Sequence, residues 1–139
     1  MSDQAIVELL KGVSTIAVIG LSPKQDRPSH RVAKHLQDFS YTVIPVRPGV
    51  TTILDQIVYA SLEDIPIKVD LVNVFRASKY VPAIVDSCIG LGINKIWLQE
   101  GIINLEAEKK AKQSDISMIM DRCIYKDMVR LGLDHAINQ

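Results

Sequence analysis

A doubly wound α/β fold, one parallel sheet of about five strands with helices on both faces, is what this sequence predicts. Three observations lead there. Strand-like and helix-like stretches alternate along the 139 residues. The strand-like stretches are short, rich in β-branched residues and mostly apolar rather than alternating, as strands covered on both faces are. The first of them runs into a glycine turn that opens a helix, the start of a strand–helix–strand unit.

Each element has its own signal. Ser2 can cap an opening helix that runs to Lys11, with Gly12 ending it. The strand candidates are residues 15–20, 41–46, 69–75, 95–98 and 116–120. After Pro28, a residue suited to a first helical turn, Val32, Ala33, Leu36 and Phe39 share one face. Ser61, Leu62, Glu63 and Asp64 predict a single helical turn before Pro66. Beyond Ser78, read as an N-cap, Val81, Ile84, Val85, Cys88 and Ile89 repeat at helical spacing. Asn104 caps a polar helix through Glu106 to Gln113, and Ile124, Met128 and Leu131 mark a closing helix. No repeat, low-complexity tract or linker interrupts them, so residues 1–139 read as one domain. Right-handed crossovers then give a Rossmann-like sheet, with strand order 3-2-1-4-5 expected.

Composition narrows the function classes. Apolar content is 47%, charged content 23% and formal net charge zero. No global field draws the chain to nucleic acid or membranes, so an anion must be held by local groups. No apolar run reaches the ~18 residues of a spanning helix. Met1, Ser2, Asp3 and Gln4 carry no basic leader, and Cys88 and Cys123 have no disulfide or metal spacing. A reduced, cytoplasmic setting is expected, with no metal; the length is compatible with a homodimer.

In open α/β sheets a ligand lies beyond the carboxyl ends of the strands. The first such end is Gly20, Leu21 and Ser22, followed by Lys24, Arg27, Ser29 and Arg31. A tight glycine turn facing a helix N-terminus binds phosphate, because free N–H groups and the helix dipole converge there. The further glycines of a GxGxxG fingerprint and the lysine of a P-loop are missing. The second strand ends in Val46 and Arg47 where NAD-binding domains place an acid, so a phosphorylated ribose is favoured, as in NADP or coenzyme A. Phe75 and Arg76 end the third strand and could stack on an adenine, although Phe75 reads equally as core. Asp70 and Asn73 interrupt that strand, facing either a pocket or neighbouring backbone. Trp97 and the three histidines read as packing or surface residues, and Cys88 as inert. Cys123 lies beside Arg122 at the ligand edge, where a cation would activate a thiol. No catalytic triad, HExxH or spaced carboxylate pair is present.

Six segments together resemble a known family. They are Ile16–Ser22 by number 16–22, then 27–33, 43–46, 69–76, 96–102 and 120–123. In that order they are similar to the small single-domain CoA-binding proteins, and to the CoA-binding domain of the succinyl-CoA synthetase α-subunit. The resemblance implies a coenzyme A or acyl-CoA ligand, with Gly20, Leu21, Ser22, Arg27 and Ser29 at the phosphates. Val46, Arg47, Phe75 and Arg76 would meet the adenosine, and Gln99, Glu100 and Gly101 would border the pantetheine arm. The family commonly has Asn-Pro where this chain has Arg47-Pro48. The expected role is a non-catalytic binding or regulatory module. Two alternatives stand beside it: a small enzyme using Cys123 on a CoA thiol or thioester, and an NADP-binding oxidoreductase-type domain.

Overall fold

The structure is a computed structural model and describes residues 2–133. Its helices are α1 (Asp3–Leu10), α2 (Pro28–Asp38), α3 (Val81–Leu91), α4 (Leu105–Gln113) and α5 (Ile124–Arg130). Its strands are β1 (Thr15–Ile19), β2 (Thr42–Val46), β3 (Thr52–Ile53), β4 (Gln56–Ile57), β5 (Leu71–Val74), β6 (Lys95–Leu98) and β7 (Ser117–Ile119). Five of these form one parallel sheet in the order β2-β1-β5-β6-β7. The doubly wound α/β class is therefore as expected.

The strand order is not. Counting the five main strands, it runs 2-1-3-4-5 rather than 3-2-1-4-5. Pro45 supplies the reason. Thr42 N donates inward to Ser14 O, so by alternation the position of Pro45 faces the outer edge, where it has no N–H to offer a further strand. Residues 58–59 cover that edge instead: Tyr59 N donates to Pro45 O at 3.1 Å and Arg47 N to Tyr59 O at 2.9 Å. The third main strand consequently pairs on the far side of β1.

Two apolar layers sandwich the sheet. On one face Ile6, Leu10, Leu36, Ile124 and Met128 from α1, α2 and α5 pack on Ile16, Val18, Leu71 and Trp97. On the other, Val81, Val85, Cys88, Ala107 and Ala111 from α3 and α4 pack on Ala17, Val72, Ile96 and Leu98. Successive strand residues alternate between the layers, which is why the main strands read as mostly apolar rather than alternating.

The predicted caps hold at two helices. Ser2 Oγ accepts from Ala5 N at 3.1 Å, and Asn104 Oδ1 from Ala107 N at 2.8 Å. Ser78 is not an N-cap. It opens a 3-10 turn, Ser78–Tyr80, and its hydroxyl donates to Ile103 O, so α3 begins only at Val81. Two-stranded β3–β4 is unanticipated: its turn residues Leu54 and Asp55 adopt φ of 52° and 62° without any glycine to signal a hairpin. Leu131 follows α5 as its cap, and His135 lies outside the described residues.

Candidate functional site

Two clefts adjoin at the carboxyl ends of the strands. The smaller, about 460 Å³, is lined by Gly20, Ser22, Lys24, Arg27, Ser29, Arg47 and Phe75, with Pro23 and Pro28. The larger, about 660 Å³, lies between the N-terminal halves of α2 and α5, above the ends of β5 and β6. Pro28 and Phe75 belong to both, so the two form one continuous groove.

The loop in the smaller cleft is held by its own hydrogen bonds. Ser22 N donates to Ser29 Oγ at 3.0 Å, and Lys24 N to Ser22 Oγ at 3.1 Å. His30 Nδ1 lies 2.9 Å from Ser22 O; a carbonyl only accepts, so this nitrogen carries the proton. Gly20 has φ +85°, and a Cβ there would stand 2.4 Å from Phe75 O. Its small size thus serves the crossing of two strand ends rather than a phosphate alone. Lys24, Arg27 and Arg47 give the cleft three positive charges, and among the described residues none has a carboxylate partner. Arg47, half-buried, makes only a long 3.4 Å contact from Nε to Pro48 O. With the N-terminus of the 11-residue α2 facing the same space, the cleft is suited to phosphate.

The larger cleft mixes apolar residues with the charged Arg31, Arg76, Glu100 and Lys126. Phe75, Val32, Ile102 and Cys123 form its floor and sides, and His35 stacks on Tyr125 (centroids 3.9 Å apart, 12° between planes) to join α2 to α5. Arg76 lines it while lying over the Tyr80 ring, 4.1 Å from the centroid. Gln99 is 4% exposed, and its Oε1 accepts from Ile124 N at 3.1 Å. Glu100 pairs with Lys126 at 3.1 Å; that hydrogen bond, then the charge of Glu100, raises the lysine pKa.

The groove brings together most of the expected residues, but not all. Leu21 and Val46 are core, 0% and 4% exposed, one in each apolar layer, so their side chains are withdrawn from the ligand edge. Gly101 lines neither cleft; its N–H donates to Asp121 Oδ1 at 2.6 Å. Arg122 does not attend Cys123. Asp127, buried at 4% exposure, draws its guanidinium away through contacts of 2.6 and 2.8 Å. Sequence reasoning missed His35 as a cleft residue, together with Tyr125 and Lys126. The aromatic pair could have been suspected only by knowing that α2 and α5 lie side by side.

The fold is a parallel α/β domain of Rossmann-like class, with a cationic cleft running into a larger one floored by Phe75, Val32, Ile102 and Cys123 at the carboxyl ends of its strands. The chain belongs to the CoA binding domain family, whose model matches residues 14–128. It is 38% identical over 123 residues to the Bacillus subtilis protein YneT, covering 88% of this chain and 91% of that one. A solved hypothetical protein from Pyrococcus horikoshii OT3 superimposes with a TM-score of 0.90 at 34% identity, covering 94% of this chain and 92% of that chain. An ADP-forming acetate–CoA ligase of Archaeoglobus fulgidus is 28% identical over 78% of this chain, which spans only 17% of the ligase.

Proposed function

We propose that the protein binds coenzyme A or an acyl-CoA along this groove and acts as a non-catalytic binding or regulatory module. The continuity of the two clefts through Pro28 and Phe75 carries the reading. Coenzyme A is a phosphorylated nucleotide joined to a long, weakly polar arm. A cationic cleft opening into a larger one floored by Phe75, Val32, Ile102 and Cys123 matches that division of chemistry. Arg47 is the natural partner of the 3′-phosphate, with Lys24, Arg27 and Ser29 at the diphosphate. Phe75 stands at the passage, where adenosine and arm meet.

Three of the acids and histidines near the groove already have partners within the fold, which favours binding over chemistry. His30 ties down Ser22, Glu100 holds Lys126, and Asp121 holds Gly101. No helix among the described residues is long and apolar enough to cross a membrane.

Thermal unfolding with CoA, dephospho-CoA, NADP and adenosine 3′,5′-bisphosphate in parallel tests it. A ligand that binds only the folded state at a hundredfold above Kd stabilises it by about 2.7 kcal/mol, worth roughly 10 °C in a domain of this size. CoA should give the largest rise and dephospho-CoA a smaller one. A flat response to CoA, or a larger one to NADP, would overturn the proposal.

A further inference from the structure

The two cysteines differ in one respect that the binding reading leaves unused. Cys88 is fully buried between α3 and the sheet, and burial, then the charge of Glu63, pushes its thiol up to about 12. Cys123 is 7% exposed and opens onto the larger cleft.

A second group points into the same space. Gln99 lines the cleft and is 4% exposed, and its Oε1 is taken by Ile124 N. Its amide Nε2 has no hydrogen-bond partner among the described residues, yet it is not one of the fully buried unsatisfied atoms. It is a donor held ready at the cleft wall. A ligand carbonyl entering the cleft could accept from it. The pantetheine arm carries such amide carbonyls and ends in sulfur. The hydrogen bond that fixes the Gln99 amide is to Ile124, the residue after Cys123, so amide donor and thiol are set by one contact.

We infer that Cys123 is a covalent docking point for coenzyme A, formed by exchange with CoA disulfide; this rests on the CoA-binding reading above. The Cys123 thiol gives its proton to solvent and its sulfur attacks one sulfur of the CoA disulfide. The CoA S–S bond breaks, a Cys123 Sγ–S bond forms, and one CoA departs as thiolate to be reprotonated. The Cys123 sulfur is oxidised and the departing sulfur reduced, so the two changes balance. The groove then distinguishes the oxidised from the reduced form of its ligand by retaining the former covalently.

Intact-mass measurement after incubation with CoA disulfide tests this, with Cys123→Ser and glutathione disulfide as parallel arms. The wild type should gain one CoA, mapped to Cys123, and Cys123→Ser none. Reaction with CoA disulfide should be roughly tenfold faster than with glutathione disulfide at equal concentration, because groove binding raises the local concentration of the reacting sulfur. No adduct on the wild type, an adduct on Cys123→Ser, or equal rates for the two disulfides would each overturn the inference. The melting shift of Cys123→Ser with reduced CoA separates the two layers. A shift without an adduct on the wild type overturns only the covalent step, whereas no shift in either protein removes the binding reading beneath it.

Discussion

The two ends of the sheet use the same kinds of polar residue in opposite ways. At the amino ends Asp70 accepts from Ser14 N, Thr15 N and Ser14 Oγ at 3.0, 3.0 and 3.2 Å, and Lys95 Nζ donates to Lys11 O at 2.8 Å. At the carboxyl ends Lys24, Arg27 and Arg47 form no ion pair among the described residues, and the Gln99 amide keeps a free donor. Volume alone does not separate the ends. A hollow of about 560 Å³ at the amino end exceeds the cationic cleft, but its lining carries both signs of charge, Glu8 and Glu108 with Lys95 and Lys112. A binding site is marked by polar capacity that the fold leaves unspent, not by empty space.

Gly20→Ala is the severest way to break the comparison, because it strikes where the carboxyl-end groove meets the sheet. The left-handed backbone and the 2.4 Å approach to Phe75 O both oppose a methyl group, and the obstruction is main chain. Destabilisation of about 3 kcal/mol is expected, from the two penalties together. Urea unfolding measures it. Gly101→Ala, also at positive φ but with open space around its Cβ, should cost clearly less.

The amino end should reveal itself through acid. Burial pushes the Asp70 carboxyl up, but the hydrogen bonds from Ser14 and Thr15 outweigh it and hold the pKa below the usual 3.8. A carboxyl depressed in the folded state stabilises above its unfolded pKa, and that contribution is lost as pH falls through the folded value. Asp127 behaves alike: burial raises it, and Arg122 and Arg130 lower it further. Stability should therefore fall as pH drops below 3.8. Asp70→Asn, which keeps an acceptor but no charge, should cost about 1 kcal/mol at neutral pH and flatten part of the acid limb. An unchanged acid limb would mean that Asp70 contributes nothing through its charge. CoA affinity, read at neutral pH, should be unaffected.

How far the chain could be read in advance follows the same division. The buried strands and their glycine turn were legible because local pattern and sheet burial demand the same residues. The strand order was not, since it depended on which edge of β2 Pro45 would face. Asp70 and Asn73 illustrate the limit within a single strand. Both read as ambiguous polar interruptions, yet Asp70 is consumed by the Ser14 turn, while Asn73 is fully buried with both side-chain polar atoms unpartnered. The polar rim of the groove was accessible through the strand-end rule, whereas Tyr125 and His35 depend on two helices far apart in the chain meeting side by side. The side chains of Leu21 and Val46 turn into the core, and adjacency to a strand end does not tell which way a side chain points.

Arg47 is the finest test of unspent capacity, because the fold itself asks almost nothing of it. Its one contact, 3.4 Å to Pro48 O, is too weak to matter for folding, so Arg47→Ala should leave stability within about 0.5 kcal/mol. If the guanidinium is reserved for a 3′-phosphate, CoA affinity should fall about tenfold, a charge-assisted contact discounted for partial exposure. Dephospho-CoA, lacking that phosphate, should bind both proteins alike. Titration calorimetry with the two ligands and two proteins forms a closed cycle whose coupling term isolates the contact. Equal losses for both ligands would move Arg47 to the diphosphate. No loss for either would put the nucleotide outside the cleft that Arg47 lines, and the charge left open there would then need another ligand to explain it.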